Sequence, residues 1–399
     1  MKKILYIAFA LSASLFMQGC DDSSSASSEP ESSSAKTSVR SSSSVEIESS
    51  SETGDDLPNY SRAIAVNKAL GHGINFGNSW ESGYSITSSN FDPDMVYDYL
   101  DGYWSNSIQD EWFQIAKDAG FQSIRMPVRW NQTALHEPPY TLQAERVEGV
   151  KRHIKIANGL GMPVIINQHH FNELYDNPEK YMAAFYGIWE NVAEEFKDFD
   201  NDSLIFEILN ESRGKSDAVL AQMTDSAIKI IRKTNPGRTI MIDPGNWGKF
   251  EQMDVFADIK DSNIIIDGHY YEPYNYSHQG HNTDCDKKVL WKANDQEATL
   301  KIVTDLKSYM SMAKKYFPGK NGTHIPLNIG EFGASSICEA YGQDDANRAL
   351  YIKSIVQVAN QLGYSWHIWG FTGVGFDIYN KSTDEWYPEI LKGLALDKE

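Results

Sequence analysis

Two glutamates stand at the ends of apolar runs in the chain. Glu211 closes a run that begins at Leu204, and Glu331 closes one that begins at Ile325. A pair of carboxyl groups facing each other across a cleft can perform glycoside hydrolysis, because one group protonates the leaving oxygen while the other, ionised, acts on the anomeric carbon. A separation of about 5–5.5 Å would indicate retention of configuration and roughly 6.5–9.5 Å inversion. The alternative is a structural ion-pair network with Arg125 and the histidines.

Other polar and aromatic side chains also follow apolar runs. They are Asn75, Asn78, Arg125, His169, His170, Asn210, His269, Tyr271 and Trp369. Charged and imidazole groups are costly to bury without partners, so a single shared site explains the whole set better than many separate buried groups.

The elements that must position these residues alternate between short β-branched runs and amphipathic segments of helical length. We predict strands at 72–76, 123–128, 164–168, 204–209, 239–243, 264–269, 327–331 and 365–369. Predicted helices are 110–119, 142–160, 178–199, 217–234, 296–316, 344–362 and 388–396. This pattern predicts an α/β fold of the (β/α)8 TIM-barrel type in a single catalytic domain, residues 57–399. Two doubly wound domains are the alternative, but no linker interrupts residues 57–399.

Composition excludes several classes of function. The 399 residues include 36 basic and 55 acidic side chains, a net charge of −19 that would repel phosphate backbones and anionic lipid surfaces. We therefore expect no nucleic-acid partner. Aromatic residues make up 12% of the chain, and their flat faces suit sugar rings as well as apolar cores.

The N-terminus has the features of an export sequence. Lys2 and Lys3 precede an apolar run too short to span a bilayer, and the run ends close to Cys20. Residues 1–20 resemble a bacterial lipoprotein signal peptide, which implies lipidation of Cys20; an ordinary signal peptide is the alternative. We expect an exported protein of the cell envelope, anchored by lipid at Cys20, or an extracellular one if it is released.

Residues 21–56 are rich in serine and scattered acids, with almost no large apolar residue. Such a segment cannot bury enough surface to fold, and we interpret it as a flexible linker. The remaining cysteines, Cys285 and Cys338, are candidates for a disulfide in an oxidising compartment, with free buried thiols as the alternative.

Several motifs in order resemble glycoside hydrolase family 5, the former cellulase family A, from about residue 62 to residue 394. The motifs are Gly73-Ile74-Asn75-Phe76-Gly77-Asn78, Ile124-Arg125-Met126-Pro127-Val128, Asn167-Gln168-His169-His170, Leu209-Asn210-Glu211, His269-Tyr270-Tyr271, Gly330-Glu331-Phe332-Gly333 and Trp369. One departure is Ser212, where the family usually has proline after the glutamate. We expect that change to alter the loop and not the chemistry.

The resemblance implies a role for each matched residue. Glu211 would be the proton donor and base, and Glu331 the nucleophile, of a retaining double displacement. The implied supporting residues are Arg125, His169, Asn210, His269 and Tyr271, and the implied substrate-binding residues are Asn78, His170 and Trp369, with Trp247 and Trp80 as further stacking candidates. We expect Arg125 to keep Glu331 ionised and partial desolvation to raise the pKa of Glu211.

The resemblance also narrows the substrate to a β-1,4-linked polysaccharide. We expect a cellulase, an endo-β-1,4-glucanase, acting without a cofactor and as a monomer. A β-mannanase, a xyloglucanase and a mixed-linkage glucanase are alternatives on the same scaffold, and a non-catalytic glycan-binding surface lipoprotein is the alternative outside catalysis. A metal site at His169 and His170 is disfavoured, because adjacent residues of one strand point to opposite faces.

Overall fold

The computed structural model describes residues 57–281, 283–292 and 296–396. The predicted signal peptide, Cys20 and the serine-rich linker lie outside the described residues.

Eight parallel strands close into a barrel in chain order, as the alternating pattern predicted. The strands are β1 (His72–Asn75), β2 (Ser123–Met126), β3 (Val164–Asn167), β4 (Leu204–Glu207), β5 (Ile240–Ile242), β6 (Ile264–His269), β7 (Leu327–Phe332) and β8 (Ser365–Ile368). Nearly every strand residue is buried, because one face fills the barrel and the other packs under helices. The prediction of a single (β/α)8 barrel is confirmed.

Helices surround the barrel. They are α1 (Ser61–Leu70), α2 (Glu111–Asp118), α3 (Ala144–Gly159), α4 (Asn172–Asp176), α5 (Pro178–Glu195), α6 (Leu220–Arg232), α7 (Gly245–Gly248), α8 (Tyr274–Ser277), α9 (Gln296–Tyr316), α10 (Asp345–Leu362) and α11 (Pro388–Gly393). Short 3-10 helices lie at Gly214–Val219, Phe250–Phe256, Lys320–Gly322 and Glu339–Tyr341, and a two-stranded ribbon pairs β9 (Tyr379–Asn380) with β10 (Glu385–Trp386). The bounds of α9 match the prediction, and α10 begins directly after its cap Asp344, whose carboxylate accepts the N–H of Asn347.

Two features differ from the predicted pattern. Helix α1 was not predicted, and its residues Ala63, Val66 and Leu70 form a separate apolar cluster with inward-facing residues of β3 to β6, closing the N-terminal end of the barrel. The connection from β5 to β6 holds only α7 and a 3-10 helix among the described residues, whereas the (β/α)8 pattern has a full helix after each strand. This short connection leaves room at the mouth of the barrel beside β5.

The loops at the C-terminal end of the barrel carry a covalent link. Cys285, after α8, and Cys338, after β7, are joined by a disulfide with Cα atoms 5.4 Å apart. The link ties together the two loops that flank the ends of β6 and β7. Among the described residues, no helix is both long enough and apolar enough to cross a membrane.

Candidate active site

Arg125, at the third position of β2, organises the floor of the barrel mouth. Its guanidinium group donates to both oxygens of Glu207 at 2.7 Å and to Oε1 of Glu331 at 2.8 Å. It also donates to the side-chain oxygens of Asn75 and Asn210. The guanidinium group is fully buried. Desolvation alone would lower the pKa of Arg125, but its carboxylate partners Glu207 and Glu331 outweigh that effect and raise the pKa well above its usual value. One cation therefore fixes groups from β1, β4 and β7 in a single network.

The two sequence-predicted glutamates meet above this network. One oxygen of Glu211, one oxygen of Glu331 and a ring nitrogen of His269 all lie within 4.8 Å of one another. The Nδ1 atom of His269 is 2.9 Å from Oε1 of Glu211 and 3.6 Å from Oε2 of Glu331. A separation this small agrees with the spacing of about 5–5.5 Å that is typical of retaining glycosidases and is below the roughly 6.5–9.5 Å of inverting ones.

The electrostatics of Glu211 differ from the expectation. Burial raises the pKa of Glu211, but the hydrogen bond and charge of His269 offset it, so that the net pKa lies below the usual value. In return, Glu331 and Glu211 outweigh the desolvation of His269 and raise the pKa of its imidazole to about 9. The imidazole of His269 thus favours its protonated form and Glu211 its ionised form, and the prediction of a raised pKa for Glu211 is wrong.

Glu331 is held within β7. Its Oε1 accepts from Arg125 and its Oε2 accepts the hydroxyl proton of Tyr271 at 3.0 Å. Burial raises the pKa of Glu331. The positive charges of His269 and Arg125 offset only part of that rise. Arg125 thus favours the ionised form as expected, yet the net pKa is raised, because the strand buries the carboxyl group and Glu211 adds a second negative charge.

A cleft of about 500 Å³ opens over the two carboxyl groups. It is lined by His169, His170, Glu211, Trp247, Lys249, His269, Tyr271, Glu272, Tyr274, His278, Glu331, Trp369 and Phe376. The ring of Trp369 lies parallel to that of His169, with centroids 6.2 Å apart, and rests against Gly77, where a Cβ atom would come within 2.5 Å of the indole. Gly77 therefore allows the tryptophan to form one wall of the cleft.

The adjacent histidines share this cleft, in contrast to the expectation of opposite faces. Their rings contact each other at a centroid distance of 4.2 Å. The reason is that β3 ends at Asn167, and His170 then adopts a left-handed backbone with φ of 55°. The two-residue alternation of a strand no longer applies beyond its end.

Two predicted substrate-binding residues, both in the loop after β1, make contacts with other parts of the protein. Trp80 is buried in the core, where its indole N–H donates to His153 and the guanidinium group of Arg146 covers its ring. The prediction of a stacking role for Trp80 is wrong, because the loop after β1 turns inward at that point. Asn78 is half-buried, and its side chain donates to the carbonyl of Gly373, joining the loops after β1 and β8; its substrate-binding role stays a prediction.

Trp247 lies at the opposite rim and is half exposed. The guanidinium group of Arg213 stacks between Trp247, at 4.0 Å, and Tyr175, at 4.2 Å. The guanidinium group thus covers one face of the indole of Trp247, and the exposed part of the ring lines the cleft.

The chain matches the model of the family Cellulase (glycosyl hydrolase family 5) over residues 81–374. The chain belongs to glycosyl hydrolase family 5. Its position in the family agrees with the closed barrel and with the carboxyl pair at the ends of β4 and β7.

Individual relatives support the assignment to family 5. Endoglucanase H of Acetivibrio thermocellus is 28% identical over 334 residues, which cover 82% of this chain and 33% of that protein. The chain thus spans about a third of the length of that relative. A solved hyperthermophilic endo-beta-1,4-glucanase in complex with substrate is 34% identical, with a TM-score of 0.73 and coverage of 84% of this chain and 99% of the other. Thermotoga maritima Cel5A in complex with mannotriose is 29% identical, with a TM-score of 0.72 and coverage of 83% and 99%.

Three buried carboxyl groups of this family 5 site were not predicted. Glu207 pairs with Arg125, Asp267 lies 4.0 Å from the same guanidinium, and Asp243 lies 3.9 Å from the far ring nitrogen of His269. The sequence carries a sign of them, since an acidic residue stands near the end of each of the apolar strands β4, β5 and β6. Their partners depend on strand register and tilt, which the sequence does not state.

The donor set was also considered as a metal site. Glu211, His269 and Glu331 lie close together, but Nδ1 of His269 is hydrogen-bonded to Oε1 of Glu211 and is therefore not directed at an ion in the cleft. His169 and His170 belong to neither group of clustered metal-binding side chains found among the described residues. We assign no metal ion to this site, and its absence stays a prediction.

Proposed function

We propose that this protein is a retaining endo-β-1,4-glucanase that cleaves internal bonds of cellulose and related β-glucans. The observation that carries the proposal is the separation of Glu211 and Glu331, whose nearest-placed oxygens lie within 4.8 Å. That distance supports a double displacement through a glycosyl-enzyme, because an inverting enzyme needs space for a water between its carboxyl groups.

In the first step, Glu331 attacks the anomeric carbon and the glycosidic bond breaks. Arg125 and Tyr271 orient the carboxylate by hydrogen bonds to its two oxygens, so that little reorganisation is needed at the moment of attack. Burial raises the pKa of Glu331, and the two donors counter that effect where it matters, at the attacking oxygens.

The leaving oxygen needs a proton in the same step. We propose that His269 holds that proton in the resting site, because its Nδ1 is 2.9 Å from Oε1 of Glu211. We propose that the pair acts together: Glu211 takes the proton from His269 and gives it to the departing sugar. Asn210, fixed by Arg125, would contact the sugar bound over Glu331, and His169 and His170 would line the same position.

In the second step, Glu211 accepts a proton from water as that water attacks the anomeric carbon. The bond to Glu331 breaks, its carboxylate returns, and the proton passes back to the pair of Glu211 and His269. The same residue thus serves first as acid and then as base.

The substrate is inferred from the cleft and from relatives. Trp369 and Trp247 both line the cleft that contains the carboxyl pair, and their flat faces suit the rings of a sugar chain. The curated relatives are named endoglucanases, which favours β-glucan. A mannan substrate is the second candidate, because Thermotoga maritima Cel5A was solved with mannotriose as well as with cellobiose.

The test is viscosity loss and reducing-sugar release on carboxymethyl cellulose, with lichenan, xyloglucan and glucomannan as comparisons. Glu211→Gln and Glu331→Gln should each lose several orders of magnitude in rate, since each removes a group that acts in both steps. Glu251→Gln, at a glutamate bonded to Tyr309 outside the cleft, is the matched control and should retain activity. A wild-type chain that binds these polymers without cutting any of them would instead be a glycan-binding lipoprotein, and one that cuts only mannan would be a mannanase.

We further propose that the chain is exported as a monomer and anchored through lipid at Cys20. The support is the sequence of residues 1–20 and the serine-rich segment that follows it. Metabolic labelling with a fatty acid should mark the wild type and not Cys20→Ala, and the variant should leave the membrane fraction. Unchanged labelling in Cys20→Ala would contradict the anchor.

A further inference from the structure

Asp243 lies behind the acid/base pair, one residue past the end of β5. It is buried, and its Oδ2 accepts the backbone N–H of Glu211 at 3.4 Å. The same oxygen is 3.9 Å from Nε2 of His269. Asp243 therefore contacts the backbone of Glu211, whereas His269 contacts the carboxylate of Glu211.

The backbone of Glu211 needs such support. Its φ of 48° lies in the left-handed region, which costs a residue other than glycine about 1–3 kcal/mol unless its surroundings hold it there. The hydrogen bond to Asp243 is made by the amide of this strained residue. Removal of the acceptor would free the amide and allow the glutamate to turn away from His269.

Asp243 also faces the ring nitrogen of His269 that points away from Glu211. Nε2 of His269 and Oδ1 of Asp243 have no hydrogen-bond partner among the described residues, although both are buried. A shift of roughly 1 Å would bring Nε2 within hydrogen-bond distance of Asp243. The charged and titratable groups that face the imidazole are Glu211 after β4, Asp243 after β5, Asp267 on β6, Glu331 on β7, Arg125 on β2 and His169 after β3.

We propose that Asp243 is a positioning residue for proton transfer. It fixes the backbone of Glu211 and accepts the Nε2 proton of His269, so that Nδ1 is the nitrogen that exchanges a proton with Glu211. When Nδ1 of the imidazolium gives up its proton to Glu211, the imidazole becomes neutral, with its remaining proton on Nε2, facing Asp243. The inference rests on the proposed function, since it assumes that Glu211 is the acid/base.

The charge of Asp243 is not what the role requires. Burial and the neighbouring carboxylates Glu207 and Asp267 raise the pKa of Asp243 well above its usual value. The group therefore acts through its oxygens as hydrogen-bond acceptors. An asparagine, which keeps one such oxygen in the same shape, should replace it with little loss.

Substrates with different leaving groups separate this role from a merely structural one. Cellotetraose needs a proton on its leaving oxygen, whereas 2,4-dinitrophenyl β-cellobioside does not. We expect Asp243→Ala to lower kcat/KM on cellotetraose by about 10- to 100-fold, the usual effect of removing a partner behind a reacting group, and by less than about 3-fold on the aryl substrate. Added azide, which attacks the glycosyl-enzyme without a base, should raise kcat of this variant on the aryl substrate.

The conservative variant and a remote control complete the test. Asp243→Asn should retain kcat/KM on cellotetraose within about 5-fold, because it keeps an acceptor for the amide of Glu211. Asp261→Asn, which weakens the ion pair with Arg232 at the other end of the barrel, controls for loss of stability alone and should show no dependence on the leaving group. If Asp243→Ala does not fold, Asp243→Leu fills the space and serves for the same comparison.

Three results would overturn the inference: an equal loss on both substrates, no loss on either, or an Asp243→Asn variant as impaired as Asp243→Ala. The proposed function is tested separately. If Glu211→Gln and Glu331→Gln are both as active as wild type, the function itself fails. If both are inactive and Asp243→Ala behaves like wild type, only the role of Asp243 fails.

Discussion

The two carboxyl groups of the site are held in different ways. Glu331 lies inside β7, where pairing with His269 of β6 fixes its backbone, and a buried arginine fixes its side chain. Glu211 lies four residues past the end of β4 in a left-handed conformation. Its side chain is held by His269 and its backbone N–H by Asp243. The nucleophile is thus placed by the register of the barrel, whereas the acid/base is placed by side chains of neighbouring strands. A group that only attacks can be rigid, but a group that exchanges protons needs partners that exchange them with it.

The largest effect should come from removing the cation on the nucleophile side. Arg125→Met leaves Glu207 and Glu331 buried without their positive partner, which should cost about 3–5 kcal/mol in the free energy of unfolding. Activity should fall at least about 10²–10³-fold, because the attacking carboxylate loses its donor. Urea denaturation and initial rates on cellotetraose measure the two effects.

The control for Arg125→Met is another buried arginine. Arg238 donates to backbone carbonyls near the start of β4, far from the cleft. Arg238→Met should be destabilised as well, yet the protein that remains folded should keep its rate per molecule. Equal rate losses in both variants would mean that Arg125 acts through stability alone.

The second prediction concerns the acid/base side. His269→Asn removes the group that stores the proton and should lower kcat on cellotetraose by about 10²-fold, within the usual contribution of general acid catalysis. Formation of the glycosyl-enzyme from 2,4-dinitrophenyl β-cellobioside should remain fast, since Glu331 and Arg125 are untouched. Stopped-flow measurement of the dinitrophenol burst tests this.

His153→Asn is the control for His269→Asn, because His153 is equally buried but bonds to Trp80 outside the cleft. His153→Asn should change neither kcat on cellotetraose nor the dinitrophenol burst. A lost burst in His269→Asn would show that His269 also positions the nucleophile, and the two sides would then not be separable.

The strand-end residues of this site were predictable, because parallel strands of a barrel end at one edge wherever their sequence places them. Glu211, Glu331, Arg125 and His269 were assigned to the same mouth for that reason. What the sequence did not state is which of them touch. The raised pKa of His269 depends on its contacts with Glu331 and Glu211, and no pattern of residue types contains those distances.

Errors arose where local rules stop. Trp80 follows β1 closely, but the inward turn of its loop buries it. His169 and His170 were treated as strand residues, although β3 ends before them. Helix α1 was missed because its apolar side packs against the open end of the barrel, and that surface is formed by residues far along the chain.

The third prediction is the response of the wild type to pH. The pKa of His269 is raised from 6.5 to about 9, so the folded state binds its proton more tightly than the unfolded state does. The resulting stabilisation is complete below pH 6.5 and is lost as pH rises toward 9, amounting to at most about 3 kcal/mol. Unfolding free energies measured from pH 6 to 10 should fall in that window for the wild type and remain flatter in His269→Asn. A parallel fall in both would assign the effect to another group.

The smallest effect should appear at the rim, away from both carboxyl groups. Trp247 is half exposed and contacts neither glutamate directly, so Trp247→Ala should weaken binding of a sugar ring by about 0.5–1.5 kcal/mol and raise KM by roughly 2- to 12-fold. Its kcat should change little, in contrast to Trp369→Ala, whose ring lies beside His169 over the reacting position. Kinetics on cellotetraose and on the shorter aryl cellobioside distinguish the two, with the exposed surface variant Leu300→Ala as the control. A fall in kcat for Trp247→Ala equal to that for Trp369→Ala would place Trp247 at the reacting sugar and extend the rigid part of the site across the cleft.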